Sequence, residues 1–256
     1  MNDREGISGR MERLGRLVRF AGRTASALFN ARPDLSEWIR QGYLLGNRSF
    51  GLVAVTAFIV GLVLTVQSRP TLALFGAENW LPSMVALSIF KEIGPVITAL
   101  VCAGRIGSGI GAEVASMKVS EQLDAMEVSG ISALNCVAVP RVAATTLVIP
   151  VLVLLGDAAA LLGSWVGMAI SSPMAPSLFL THAFENLAYS DLLPAVAKTV
   201  AFGLYIGLCA AHCGFEAEPG PAGVAKATNR AVVQGIFGVF LIDLAAVNLS
   251  TLVFGS

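Results

Sequence analysis

Five apolar runs, near residues 50–67, 82–112, 142–170, 193–213 and 231–254, leave this chain little choice of solvent. An α-helix needs about 20 apolar residues to cross the hydrocarbon of a bilayer, and the second and third runs are long enough to tilt or project. Only 13% of the residues are charged while 55% are hydrophobic, whereas a soluble domain carries about 25% charged residues. Such a chain cannot cover a globular surface with polar groups. The expected class is therefore an all-α integral membrane protein with five transmembrane helices. Pro150 and Gly156 lie inside the third run, where a kink is expected. The net charge is zero, so no basic field points to nucleic acid.

The basic residues are unevenly placed. Residues 1–48 hold nine Arg, whereas the connector at 171–192 and the tail after the last run hold no Lys or Arg. Lys118 and Arg141 bracket the second–third connector, and Lys226 and Arg230 lie in the fourth–fifth one. The positive-inside rule then sets the N-terminus in the cytoplasm and the C-terminus outside, with Trp80 and Trp165 near the outer interface. The first long apolar run begins only near Phe50, after an Arg-studded start, so insertion from an internal span is expected rather than a cleaved leader. Two units result: an interfacial segment, 1–48, and a five-span domain, 49–256.

Within the first unit, Met11, Leu14, Val18, Ala21, Ala25, Leu28 and Phe29 recur at helical spacing, and Arg13, Arg16, Arg19 and Arg23 fall opposite. This pattern predicts an amphipathic helix over 10–29 lying on an anionic leaflet. After Pro33, the stretch Asp34-Leu35-Ser36-Glu37 reads as the capped start of a second short helix, with Trp38 and Tyr43 at headgroup level.

One charged island interrupts the apolar chain: SMKVSEQLDAMEVSG, Ser116 to Gly130. Ser120 suits an N-cap, Glu121 the first turn and Gly130 a stop. About two turns of helix are not stable alone in water, so this helix must pack on something. Leu123 and Met126 offer an apolar edge, and Glu121, Asp124 and Glu127 project elsewhere. A cap on the bundle and a docking element for a partner both fit this pattern. The four cysteines read as small buried hydrophobes. Cys209 and Cys213 share a helix face, but only His212 stands near as a further metal ligand, and it reads as interfacial.

Ionisable residues inside spans are costly and point to function. Lys91, Glu92 and Arg105 fall in the second run, Asp157 in the third, Lys198 in the fourth and Asp243 in the fifth. Counting about 1.5 Å per residue from the outer ends, Glu92 and Asp243 both lie roughly 16 Å deep. Lys198 starts higher, and its long stem can reach down toward them. The expectation is that Lys198 pairs with Glu92, Asp243 or both, as a helix tie or as a polar contact in a transport path. Lys91, next to Glu92, points about 100° away on a regular helix. Arg105 and Glu113 read as residues that reach the cytoplasmic interface.

KEIGPVITALVCAGRIGSGIGAEVASMKVSEQLDAMEVSGI, followed by VPRVAATTLVIPVL and later by GVAKATNRAVV, resembles the MlaE/YrbE permease family. The likeness runs from about residue 10 to the C-terminus. These proteins are membrane subunits of ABC transporters that work on lipids with MCE proteins. The resemblance implies that the helix matching Glu121, Gln122, Leu123, Asp124, Met126 and Glu127 is the coupling helix, seated in a groove of a cytoplasmic ATPase. It also implies a homodimer, a periplasmic MCE-domain partner, a lipid cargo and a location in a bacterial inner membrane or an organelle of bacterial descent, and a bacterial inner membrane is expected because nothing resembling a transit peptide precedes the Arg-rich helix. No P-loop occurs in the chain, so ATP and magnesium would belong to the partner ATPase and this chain needs no cofactor of its own. Gly104, Gly107 and Gly111 suit a close helix contact better than a dinucleotide fingerprint, since no strand precedes them. An ion-coupled secondary transporter using the intramembrane carboxylates is the alternative, although no inverted repeat supports it. An enzyme is not indicated, because His182 and His212 fall near opposite faces and no catalytic cluster forms.

Overall fold

The computed structural model describes residues 15–28, 35–170 and 174–254. Hydrocarbon offers no hydrogen-bond partner to a peptide group, and the chain answers with helix almost throughout. Helix α1 covers residues 15–28, and α2 is Leu35–Leu74. A short turn at Glu78–Trp80 leads into α3 (Leu81–Ser88), a π-turn (Ile89–Ile93), α4 (Gly94–Cys102), a second π-turn (Ala103–Gly107) and α5 (Ser108–Val119). Next come α6 (Gln122–Val128), a third π-turn (Leu134–Ala138), α7 (Val139–Ala169), α8 (Pro176–Glu185), α9 (Tyr189–Phe215) and α10 (Pro221–Phe254). Among the described residues, five helical stretches are long and apolar enough to cross a membrane: Ser36–Leu74, Glu78–Val119, Leu134–Ala169, Leu192–Phe215 and Pro221–Leu252.

Two expectations about the first hundred residues change. No separate short helix stands before the first span: α2 is one helix of 40 residues that runs across position 48. Between Leu35 and Arg69 only glycines weaken the ladder, and Gly42 and Gly46 pack closely on Val148 of α7. The proposed cap residue Asp34 lies outside the described residues. Helix α1 keeps its amphipathic character but docks by a stripe through Phe20 that shares Leu28 with the expected face. Phe20 packs on His212 and Phe215, with ring centroids 5.3 and 5.5 Å apart, and Phe20 and Leu28 cover Ala138, Val142 and Ala211. Val18, on the expected apolar face, points away from the bundle at 65% exposure. The helix thus has two apolar stripes, one on protein and one open. Met11, Arg13, Leu14 and Phe29 lie outside the described residues, and His212 is buried rather than interfacial.

The helices pack in two clusters. One, toward the end that bears Lys118 and Arg141, joins Cys102, Ile106, Ile110, Val114, Ile149, Phe202 and Ile206. The other, toward the end that bears Trp80, joins Leu81, Val85, Ile89, Leu161, Met168 and Phe179. Phe179 comes from α8, so within the 171–192 connector Pro176–Glu185 forms a helix packed against α3. Trp165 Nε1 donates to the Met174 carbonyl at 3.1 Å and Asn186 Nδ2 to Ser83 Oγ at 2.7 Å, which fixes that helix to the bundle.

Close helix approach falls on glycines other than those expected. A Cβ at Gly163 would collide with the Phe58 carbonyl of α2, and one at Gly61 with the Ala160 carbonyl of α7. Of the expected trio, Gly111 meets Ala231 at 3.0 Å from its would-be Cβ, Gly107 makes ordinary contact, and Gly104 faces open space. Small residues here let backbones touch where no hydrophobic force draws helices together. Gly163→Val is therefore expected to cost at least about 1–3 kcal/mol by overpacking, read as a fall in the unfolding midpoint in detergent. Gly104→Ala should leave the midpoint unchanged.

Candidate functional site

Three charges from three helices meet inside the bundle. Lys198 Nζ of α9 donates to Glu92 Oε2 at 2.6 Å and to Asp243 Oδ1 of α10 at 3.0 Å. The lysine side chain is 4% exposed, Asp243 20% and Glu92 45%, so the site opens outward through Glu92. Glu92 reaches this position from the π-turn Ile89–Ile93, where Gly94 N–H donates to Ile89 O. Pro95 follows and has no N–H to offer the carbonyls of the preceding turn. The ladder absorbs that missing donor as a wide turn, which rotates the side chains after it relative to a regular helix. Lys91 sits half-buried beside Glu92 on the same turn.

Directly behind this turn stands Asp157 of α7. It is buried, its Oδ1 has no hydrogen-bond partner among the described residues, and it lies so close to Gly94 that a Cβ there would collide with it. Gly156, its neighbour, meets Thr98 and Val53. The span carrying Glu92 is thus backed tightly by α7. Below it, Arg105 lies on the second π-turn, exposed, with no partner for its guanidinium among the described residues.

Glu113 pairs with Arg141. Its Oε1 accepts from Arg141 Nη2 at 2.6 Å, while Arg141 Nη1 donates to the Val137 carbonyl at 2.8 Å. Arg141 is 6% exposed and ties the start of α7 to α5. Pro140 beside it again follows a π-turn, Leu134–Ala138. Gly-Pro and Val-Pro inside apolar runs were the sequence signals for these wide turns.

The charged island forms α6, with changes at its start. Ser120 does not cap it; the hydroxyl donates back to Ser116 O at 2.8 Å and closes α5. Glu121 is the N-cap, at φ 59°, the one described non-glycine residue in the left-handed region. Such a residue costs on the order of 1–3 kcal/mol and marks a switch or a sharp corner. Gly130, at φ 77°, ends the helix as expected, and Ile131 N–H donates to the Met126 carbonyl at 2.9 Å. Lys118 grips Asp124 with both carboxylate oxygens at 2.8 and 3.0 Å, fastening α6 to α5. The main correction concerns its apolar edge. Leu123 is 2% exposed and belongs to the bundle core, with Met126 packed against it, so neither presents an outward contact. The outward face is Glu121, Gln122, Asp124, Glu127 and Val128, the last 89% exposed.

Of the helix α1 arginines, Arg16 bonds Glu216 through Nε at 2.5 Å. Arg19 and Arg23 are exposed, and Arg13 lies outside the described residues. Outside the spans, Lys226 holds the Glu218 carboxyl below the usual carboxylate range by direct hydrogen bonding. Among the described residues, no three His, Cys, Asp or Glu side chains converge as metal ligands would. All four cysteines are free, with only Cys136 exposed.

A helical bundle of five spans with buried counter-charges and a short helix held at one end is the build of a membrane transport subunit. The family profile described as Permease MlaE matches residues 38–249, and the chain belongs to this family of ABC transporter permeases. A probable ABC transporter permease protein of Rickettsia typhi is 36% identical over 200 residues, covering 78% of this chain and 77% of its own. A probable ABC transporter permease protein of Synechocystis is 30% identical over 241 residues, 93% of this chain and 90% of its own. The intermembrane phospholipid transport system permease protein MlaE of Haemophilus influenzae is 32% identical over 249 residues and covers 93% of each. The ion-coupled secondary transporter is not favoured by these relationships.

Removing Lys198 leaves two carboxylates facing each other without their cation. Lys198→Met is expected to cost roughly 3 kcal/mol or more, read as a lowered unfolding midpoint. Lys198→Glu should be worse and partly restored by Asp243→Lys; no restoration would mean that these side chains do not act as a pair.

Proposed function

We propose that this chain is the permease of a lipid transporter that moves phospholipid or a related lipid between the bacterial inner membrane and a periplasmic MCE-type partner. It works as a homodimer driven by two separate ATPase subunits. The observation that carries the reading is the Lys198–Glu92–Asp243 site, a cation held inside hydrocarbon and opened to one side by Glu92. A phosphate-bearing headgroup can compete with Glu92 for Lys198 there, and Lys91 supplies a second cation on the same turn. The relative named for phospholipid transport supports this cargo.

The N-terminus lies in the cytoplasm and the C-terminus in the periplasm in this reading, supported by nine Arg before residue 49. The Trp80 end with α8 then meets the periplasmic partner, and α6 meets the ATPase. Exposed Arg105 and half-exposed Glu92 on one span support the homodimer, because intramembrane charges face a cavity or a partner rather than lipid tails. On ATP binding, the ATPases close and push α6. Its rigid ties, Leu123 in the core and Lys118–Asp124, pass the motion to α5, and the short link through Gly130 passes it to α7. The chain itself does no covalent chemistry.

Reconstitution with the ATPase and the periplasmic partner tests both ends of this mechanism. Val128→Asp with Ile131→Asp should weaken ATPase association by at least about tenfold, as loss of an interface anchor does. The neutral triple variant Lys198→Met, Glu92→Gln, Asp243→Asn should regain most of the stability that Lys198→Met alone loses. It should keep the ATPase bound and yet lose lipid transfer. Transfer at the wild-type rate in that variant would reduce the charge site to a helix tie.

A further inference from the structure

A groove of about 690 Å³ separates α1 from the segment that links α6 to α7. It is lined by Arg19, Arg23, Ser26, Ser132 and Asn135, with Leu134 at its floor. Arg19 and Arg23 stand one helical turn apart, on the same side of α1. Both are exposed, and neither has a partner among the described residues. Among the described residues, no acidic side chain lines this groove. The neighbouring groove, on the other side of α1, is different: Arg16, Lys226 and Arg230 are offset there by Glu216 and Glu218. Like charges at this spacing repel unless something offsets them. Among the described residues, the protein supplies its own anions in the groove beside Arg16 and none in the groove beside Arg19 and Arg23.

We infer that this groove is a binding site for the phosphate of an anionic phospholipid headgroup, separate from the Lys198 site. Guanidinium groups match phosphate oxygens through paired N–H donors. Ser132 and Asn135 line the same groove and carry a hydroxyl and an amide, groups that can donate further hydrogen bonds. The volume falls within the range of about 300–1,000 Å³ typical of small-molecule sites. The stripe of α1 that does not touch the bundle carries Val18 and Ala25, both exposed, where acyl chains can lie. A headgroup in the groove would tie α1 to the link that follows the coupling helix, so that leaflet composition acts on the moving part. The inference rests on the orientation proposed above, and not on which lipid is carried.

The test is native mass spectrometry of the full-length protein released from nanodiscs of phosphatidylcholine containing phosphatidylglycerol. Wild type should retain phosphatidylglycerol preferentially. Arg19→Gln with Arg23→Gln should lower that retention by about tenfold or more, as loss of two surface cations predicts. Arg19→Lys with Arg23→Lys should keep most of it. A lipid held beside Lys198 is untouched by these variants, so the difference belongs to the groove, and lipid transfer in the reconstituted system reports separately on the proposed cargo path. Equal retention by the glutamine pair overturns the site, as does equal retention of phosphatidylcholine by wild type. Loss by the lysine pair as complete as by the glutamine pair also overturns it. Inorganic phosphate titrated in lipid-free detergent distinguishes the source: weak binding is expected, and binding as tight as the lipid's assigns the groove to free phosphate instead.

Discussion

Inside a bilayer a peptide N–H or C=O finds no water, so each must be satisfied by the chain itself. That constraint sets the long helices, and it also bears on two of the places where they depart from regularity. Proline removes a donor, and in water the freed carbonyl would simply hydrate. Here Pro95 and Pro140 each follow a π-turn, which keeps the ladder nearly complete at the cost of a wider turn. A wide turn rotates every side chain after it about the helix axis. Glu92 is carried by such a turn to the lysine of another helix, and Arg141, just after another, reaches Glu113. Chemistry that needs a charge in a membrane is thus set up by the same backbone accommodation that membrane solvent forces.

The unusual backbone at α6 belongs to a different solvent regime. Its seven residues cannot hold themselves together, and the structure supplies the missing stability through Leu123, Met126 and the Lys118–Asp124 pair. The left-handed Glu121 and the glycine at 130 set the helix off sharply from its neighbours. A short element is thus fastened to α5 and the bundle core on its inner side and left bare on its outer side.

Much of this was legible in the sequence. The five spans follow from hydrocarbon length alone, and depth counting puts Glu92 and Asp243 at one level, with Lys198 higher but within reach of both through its long stem. The direction of Leu123 was not legible, because a helix of two turns has too few residues for periodicity to tell an inward face from an outward one. The anchoring of α1 by Phe20 was hidden by a second apolar stripe of equal strength through Val18. The continuity of α2 is not legible because cap-like residues after Pro33 suggest a fresh helix, whereas the weak points between them and Arg69 are glycines, of which Gly42 and Gly46 pack on α7. The tight glycines at 61 and 163 gave no sign, since a GxxxG-like pattern was sought on the span with more glycines. Asp157 could be placed in a span, but the glycine against it lies 63 residues earlier in sequence.

The central claim is that Lys198 bridges two carboxylates on two other helices within the membrane. Solid-state NMR on the protein in lipid bilayers, with 15N at lysine Nζ and 13C at Asp and Glu carboxyls, measures this directly. Two carboxyl carbons are expected at ion-pair distance, within about 4 Å of the Lys198 nitrogen, one lost in Glu92→Gln and the other in Asp243→Asn. A Lys198 nitrogen that shows no carboxyl carbon at that range, or the same couplings in both variants, would contradict it.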